Sequence, residues 1–269
     1  MDSFDAATRW EARQPDRWHG TVPQSWMQGR GSYGGLVAAG GLRALKGLCA
    51  DDRVPRSVHT SFFGPVGEQP IEARGQVVRR GRFLTHARVD VMQGDGVAAQ
   101  VTATFADGRD SGVAVDGPTR PQRPGPDGLV DMPYVEGLTP TFTQHFAYRW
   151  TEGTMPFSGG TEPRLGGWCR HRTDPGPDRH AAVLGVLDAW PAPVVPLMKR
   201  PGPASSVTWT TTFFDVPAVF DPEQWWWLGS EALHARDGYA GTRALLYAPD
   251  GSLVASMEQL VVIFDRPAA

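Results

Sequence analysis

The order of hydrophobic runs along the chain repeats itself, and this repeat limits the possible folds more than any other feature. A helix-like run at residues 33–48 is followed by four strand-like runs, and a second helix-like run at 179–190 is followed by four more. The strand-like runs span 56–66, 71–80, 83–93 and 97–105 in the first half, and 205–216, 224–236, 240–248 and 253–264 in the second. The simplest account is two copies of one unit, each a helix followed by antiparallel strands.

A stretch rich in proline and glycine separates the two copies. Residues 117–128, GPTRPQRPGPDG, hold four prolines and three glycines, which is typical of an exposed linker. An Asp-Gly dipeptide, a hairpin signal, precedes the last strand-like run of each copy, at Asp95 and at Asp250. We therefore predict an α+β chain. Its units would be an N-terminal unit at 1–113, a linker at 114–140 and a C-terminal unit at 141–269.

Composition excludes several classes of protein. Hydrophobic residues make up 41% of the chain and charged residues 20%, which is ordinary globular usage. A net charge of -3 provides no basic footprint for nucleic acid. The N-terminus lacks the apolar region of a secretory signal, and no apolar run approaches the ~20 residues that span a bilayer. We expect a cytoplasmic protein with no nucleic-acid or membrane partner. Cys49 and Cys169 have neither disulfide-framework nor metal-ligand spacing, so no metal is expected.

The glycine-rich segment GRGSYGGLVAAGGLRAL, residues 29–45, matches two known motifs only in part. From Gly29 it has the G-x-G-x-x-G spacing of a dinucleotide-binding turn, but a proline-containing stretch precedes it instead of a buried strand. Ser32 lacks one flanking glycine of a hydrolase nucleophile elbow. The backbone amides of Gly34 and Gly35, at a helix start, could instead receive a phosphate or a developing oxyanion. Close packing of the helix against a sheet explains the glycines equally well.

Segments in both halves resemble the double-hotdog acyl-CoA thioesterases of the thioesterase II type. They are YGGLVAAGGLRAL (33–45), SVHTSFFGPVGEQPI (57–71), GVLDAW (185–190), and the pair ASSVTWTTTFF (204–214) and DGSLVASMEQ (250–259). The resemblance implies two hotdog units, each a helix wrapped by an antiparallel sheet, joined in one β-rich body. It also implies hydrolysis of acyl-CoA by a water held between Asp188, Ser206 and Gln259, with no cofactor or metal. His59 matches the family's strand histidine and would line the substrate pocket with Gly34 and Gly35.

The residues themselves support these three positions unequally. Asp188 shares a helical face with Leu184, which predicts a buried acid. A buried acid needs hydrogen-bond partners or a catalytic role. The structural alternative is that Asp188 caps the following turn. Gln259 alternates with the apolar residues of its strand-like run and should therefore face the core. Strict alternation places Ser206 with Thr208 on the opposite face, unless it lies at the strand's start.

Three departures from the family pattern leave the acyl substrate open. Leu36 stands where the family has glutamine, Thr208-Trp209 replaces an Asp-His pair, and Leu260-Val261 replaces Glu-Gly. A non-catalytic acyl-thioester-binding protein therefore stays an alternative. A hotdog hydratase or dehydratase is a second one, although the G-D-x-N-P-x-H signature of hydratases is missing.

The sequence also indicates assembly. Sheet edges need cover, and the resemblance implies that double hotdogs often pair their sheets further, so we expect a homo-oligomer. The three tryptophans at 225–227 cannot all face one core, which leaves at least one indole for a pocket or an interface.

Overall fold

The computed structural model describes residues 2–50 and 53–265, and one large sheet dominates it. The helices are α1 (Phe4–Thr8), α2 (Gly34–Cys49) and α3 (Arg179–Leu187). The strands are β1 (Glu11–Gln14), β2 (Arg17–Gly20), β3 (Met27–Gln28), β4 (Gly31–Ser32), β5 (Val54–Phe62), β6 (Ile71–Arg80), β7 (Leu84–Gln93), β8 (Gly96–Ala106), β9 (Phe146–Glu152), β10 (Arg164–His171), β11 (Ala204–Phe213), β12 (Trp226–Arg236), β13 (Tyr239–Tyr247) and β14 (Leu253–Ile263). Strands β3 and β4 pair with each other, and the others form a 12-stranded sheet.

The strand order confirms the repeat. From the centre outward, the first half runs β5, β8, β7, β6, β2, β1, and the second half runs β11, β14, β13, β12, β10, β9. In each half the first strand after the helix lies at the centre, and the last strand of the half lies beside it. Strands β5 and β11 pair antiparallel, with Thr60 opposite Trp209, and so join the halves. This is the α+β double-hotdog architecture that the family resemblance implies.

Helix α2 lies against β6, β7 and β8 and packs beside α3. A Cβ added at Gly41 would lie 2.6 Å from Cγ2 of Val101 on β8, so a residue without a side chain lets the helix approach the sheet. The helix ends where Ala50 adopts a left-handed conformation with φ of 45°. Close packing against the sheet therefore accounts for Gly41 of the glycine-rich segment at residues 29–45.

The segment between the repeats, residues 107–140, contains no helix or strand, and its prolines at 118–126 lie outside both halves of the sheet. The indole Nε1 of Trp168 donates a hydrogen bond of 2.8 Å to the carbonyl oxygen of Pro124, which fixes the segment against β10. The division of the chain at 113 and 140 remains a prediction.

The three consecutive tryptophans separate as expected. Trp226 is buried in the main core, and Trp227 is buried in a second cluster with Trp168 and Tyr247. Trp225 lines a surface pocket of about 420 Å³ beneath residues 120–127. One indole thus lines a pocket, as the sequence requires.

Candidate active site

The side chain of Asp188 joins the end of one helix to the start of the other. Asp188 is the C-cap of α3, directly after Leu187, and its backbone N–H still donates to the carbonyl oxygen of Leu184 at 3.3 Å. The carboxylate accepts a hydrogen bond from the backbone N–H of Gly35 at the start of α2. Its Oδ1 also accepts a hydrogen bond of 2.9 Å from Nε2 of Gln259 on β14. Three separate elements therefore meet at this one carboxylate.

The start of α2 is shaped to receive that carboxylate. Tyr33 precedes the helix, and its side chain provides no capping hydrogen bond, so Asp188 takes over part of this role. A Cβ added at Gly34 would lie 2.8 Å from Oδ2 of Asp188 and 3.2 Å from Cζ of Phe62. The hydroxyl of Tyr33 donates to the carbonyl oxygen of Gly185 in α3, which ties the two helices together. A side chain at position 34 would displace the carboxylate.

Burial raises the pKa of Asp188 to about 7, while the hydrogen bonds from Gln259 and Gly35 act in the opposite direction with smaller effect. No salt bridge reaches this carboxylate within residues 2–50 and 53–265. The residue as a whole is half-buried. A carboxylate that exchanges its proton near neutral pH has the properties of a general base.

Gln259 faces the core, as its alternation predicts. Its side chain is buried, as are those of Met257 and Val261 on the same strand. It lies directly opposite Trp209 of β11 and Thr242 of β13. Directly opposite residues of antiparallel strands share a face, so these three side chains form one row on the inner face of the sheet.

Ser206 lies on the same face of the sheet as Gln259, unlike the placement by strict alternation, because β11 is irregular at this point. Ser206 pairs with Val261, whereas Thr208 pairs with Leu260, so one residue of β11 is extra. Such a bulge shifts the alternation of the residues beyond it. Ser206 is therefore opposite a buried residue that is two positions from Gln259. Within the described part of the chain it makes no hydrogen bond to Asp188 or Gln259.

His59 lies on the opposite, outer face of the sheet. Its ring Nδ1 is 2.8 Å from the hydroxyl of Thr210, and its Nε2 is 3.1 Å from the hydroxyl of Ser61. Its neighbour Thr60 is the residue that points inward and is fully buried. The structure thus brings together Asp188, Gln259, Gly34 and Gly35, and it does not bring His59 to them.

Sequence reasoning missed two polar residues in the same row as Gln259. Thr60 of β5 and Thr242 of β13 lie in the same row across the inner face, together with Trp209. All three are buried, and in the described structure Oγ1 of each threonine and Nε1 of Trp209 have no hydrogen-bond partner. Alternation between Val58 and Phe62 was a signal that could have identified Thr60.

Other kinds of site are not evident among the described residues. They contain no group of three or more histidine, cysteine, aspartate or glutamate side chains that could hold a metal ion. No helix within them is long and apolar enough to cross a membrane. A second surface pocket, of about 260 Å³, is lined by Trp10, Trp18, Arg43 and Asp178 among others, at the start of α3.

Two family models match the chain, one for each half. The model described as "Acyl-CoA thioesterase N-terminal domain" matches residues 22–106. The model described as "Acyl-CoA thioesterase C-terminal domain" matches residues 126–263, which is more than half of the chain. No protein with curated annotation matches the sequence.

Solved structures resemble this one over its whole length. A conserved protein of unknown function with a hot dog fold from Alicyclobacillus acidocaldarius is 25% identical, with a TM-score of 0.85 and coverage of 100% of both chains. An acyl-CoA thioesterase II from Mycobacterium marinum is 20% identical, with a TM-score of 0.79, covering 98% of this chain and 99% of that chain. A tesB protein from Mycobacterium avium subspecies paratuberculosis is 20% identical, with a TM-score of 0.79, covering 97% and 98% respectively. At this identity the last two likenesses establish the fold alone.

Proposed function

The chain belongs to the acyl-CoA thioesterase family, and we propose that it hydrolyses acyl-CoA to the free acid and CoA with a water molecule activated by Asp188. The observation that supports this proposal most is the buried carboxylate at the start of α2, whose pKa is raised to about 7. A base with a pKa near the working pH combines a useful ionised fraction with a useful proton affinity.

In the proposed reaction, the ionised Asp188 takes a proton from water as the water oxygen attacks the thioester carbonyl carbon. Gln259 holds the carboxylate through Oδ1, and its remaining amide atoms orient the water. The backbone N–H of Gly34 donates to no atom within residues 2–50 and 53–265, so it is our candidate donor for the oxyanion of the tetrahedral intermediate. When the intermediate collapses, the C–S bond breaks and the CoA thiolate recovers the proton from Asp188. Ser206, on the bulged strand, is the proposed second contact of the water.

The test is the release of free thiol from a panel of acyl-CoA esters by the purified protein, compared with its Asp188→Asn variant. We expect turnover by the natural protein and little by the variant, with both equally folded. Asp178→Asn, which removes a carboxylate from the start of the other helix, is the matched control and should keep turnover. Binding of the esters without any thiol release would instead support the acyl-binding alternative.

We also propose that the protein is a homo-oligomer, because paired sheets would cover the sheet edges of the double hotdog. Light scattering at micromolar concentration tests this separately. A monomer would contradict the assembly and leave the proposed reaction untouched.

A further inference from the structure

The inner row of polar side chains extends beyond the groups that the hydrolysis needs. Across β5, β11, β14 and β13 it contains Thr60, Trp209, Gln259 and Thr242 in that order. Gln259 bonds to Asp188, which leaves the other three without an assigned partner. Their relative exposures are 0%, 1% and 3% for Thr60, Trp209 and Thr242, so bulk solvent does not satisfy them.

Such a row is unfavourable in an otherwise apolar interior. A buried donor that loses its water partners and gains none destabilises the folded state. Thr211, two residues after Trp209 on the same face, has a further buried hydroxyl without a partner among the described residues. A site for a plain hydrocarbon chain would leave all of these groups unpaired, because a methylene accepts no hydrogen bond.

The position of the row identifies what could pair with it. Gln259 belongs to the row and holds the carboxylate, so its neighbours lie beside the place of the thioester carbonyl. Adjacent strands are about 4.8 Å apart, which puts Trp209 and Thr242 one strand spacing from Gln259. The first carbons of the acyl group therefore lie within reach of these side chains.

The chemistry of the row identifies the kind of substituent. The indole N–H of Trp209 is a donor only, and each threonine hydroxyl can both donate and accept. The row contains no lysine or arginine, so it offers no cation to balance a second carboxylate. A neutral oxygen fits this set best.

We propose that the acyl group of the natural substrate carries a neutral oxygen, a hydroxyl or a keto group, near the thioester. Either Trp209 and Thr60 bind it on one side of Gln259, or Thr242 binds it on the other side. This inference rests on the proposed function, since it specifies the acyl group of the same site. Pairing with that oxygen relieves the cost of the unpaired groups only when the oxygenated substrate is bound. The row thereby selects against unsubstituted fatty acyl groups.

The test compares hexanoyl-CoA with its two derivatives that carry a hydroxyl on the third or the fifth carbon. We expect kcat/KM to be about tenfold higher for at least one derivative, which is the effect of one neutral hydrogen bond. Thr60→Val and Thr242→Val keep the side-chain shape and remove the hydroxyl. At least one of them should lower that preference about fivefold or more. Thr212→Val, at an exposed position on the outer face of β11, is the matched control and should keep the preference.

Dissociation constants of the same three esters for Asp188→Asn separate the inference from the proposed function. Hydrolysis of all three with equal kcat/KM would overturn the inference and leave the thioesterase function standing. Tighter binding of a hydroxylated ester, with no thiol release by the natural protein, would overturn the thioesterase function and leave the inference standing. A preference that both valine variants keep unchanged would also overturn the inference, since it would arise elsewhere.

Discussion

The starts of α2 and α3 correspond in the two repeats, yet each holds a carboxylate in a different way. At α2 the carboxylate comes from the other helix, through Asp188. At α3 it comes from the residue before the helix, Asp178, which accepts hydrogen bonds from the amides of His180 and Ala181 at 3.2 and 3.1 Å. The second arrangement is ordinary N-capping. The first brings a carboxylate to a helix start from outside.

The charges around the two carboxylates differ as well. Oδ1 of Asp178 lies 2.5 Å from Nζ of Lys46, and its Oδ2 lies 4.0 Å from Nε of Arg43. Burial acts to raise the pKa of Asp178, but Lys46, the Ala181 amide and Arg43 together lower it. Asp188 has no such cation, and its pKa is raised. The surroundings of each aspartate thus set its pKa in opposite directions, since cations lower that of Asp178 and burial without a cation raises that of Asp188.

The largest effect expected from this comparison is on catalysis. Asp188→Asn keeps the acceptor oxygen for Gly35 and removes the base, so kcat should fall by about 10² to 10⁴ with little change in KM. Thiol release and thermal unfolding measured on the same preparations check this. A folded variant with full activity would remove Asp188 from the mechanism, and the two helix starts would then both be structural.

The next effect concerns the open helix start. Gly34→Ala places a methyl group 2.8 Å from the present position of Oδ2 of Asp188, so the carboxylate must move. A misplacement of about 1 Å can lower the rate by about 10². Gly47→Ala, in the same helix with nothing within 4 Å of the added Cβ, should leave the rate unchanged. Equal rates in both variants would show that the contact at position 34 is irrelevant to turnover.

Stability should depend on pH in opposite directions at the two sites. Asp188 stays protonated in the folded state up to about pH 7. An aspartate in the unfolded chain ionises at about pH 3.9, so the contribution of Asp188 to stability falls as the pH rises from that value to about 7. The pKa of Asp178 is lowered, so its contribution is present above about pH 3.9 and is lost as the pH falls below.

Denaturant unfolding of the natural protein, Asp188→Asn and Asp178→Asn between pH 3 and 8 measures this. The free energy of unfolding of Asp188→Asn should increase relative to that of the natural protein as the pH rises. The free energy of unfolding of Asp178→Asn should be lower than that of the natural protein, and this difference should become smaller toward pH 3. Parallel curves for all three proteins would contradict the assigned pKa directions.

The smallest effect is expected from losing the cap of α3. Asp178→Ala removes the acceptor for two amides and the partner of Lys46, which should lower the free energy of unfolding by about 1 to 3 kcal/mol. Asp178→Asn keeps the cap and loses only the charge, so it should cost less. Turnover per folded molecule should be unchanged in both. A large drop in kcat would mean that the second helix start also contributes to catalysis.

Much of the fold could be predicted from the sequence, because the repeat and the period-two alternation are local patterns. Gln259 was placed correctly on the inner face for this reason. Asp188 was identified as a buried acid because it follows the apolar stripe of α3. Its contact with Gly35 could not be derived from the residues, since it depends on how the two halves pack.

The differences between the structure and the sequence expectations have physical causes. The extra residue after Ser206 is invisible in the alternation of β11, because a bulge is specified by pairing with β14. For His59, the family resemblance implied a place in the substrate pocket, whereas the alternation of β5 places its neighbour Thr60 on the inner face. The polar row was missed because its members come from four strands whose register no single segment defines.

The segment at 107–140 has a consequence for how the two helix starts came to differ. Two separate copies of one repeat, paired around a two-fold axis, would carry identical helix starts, so any substitution would appear at both. Joining the copies in one chain removes that constraint, because each position is then encoded twice and can change alone. One helix start can accept a costly buried acid while the other accumulates ion pairs. The covalent connection thus allows the two helix starts to differ in sequence and in charge, which is not possible in a symmetric pair of identical chains.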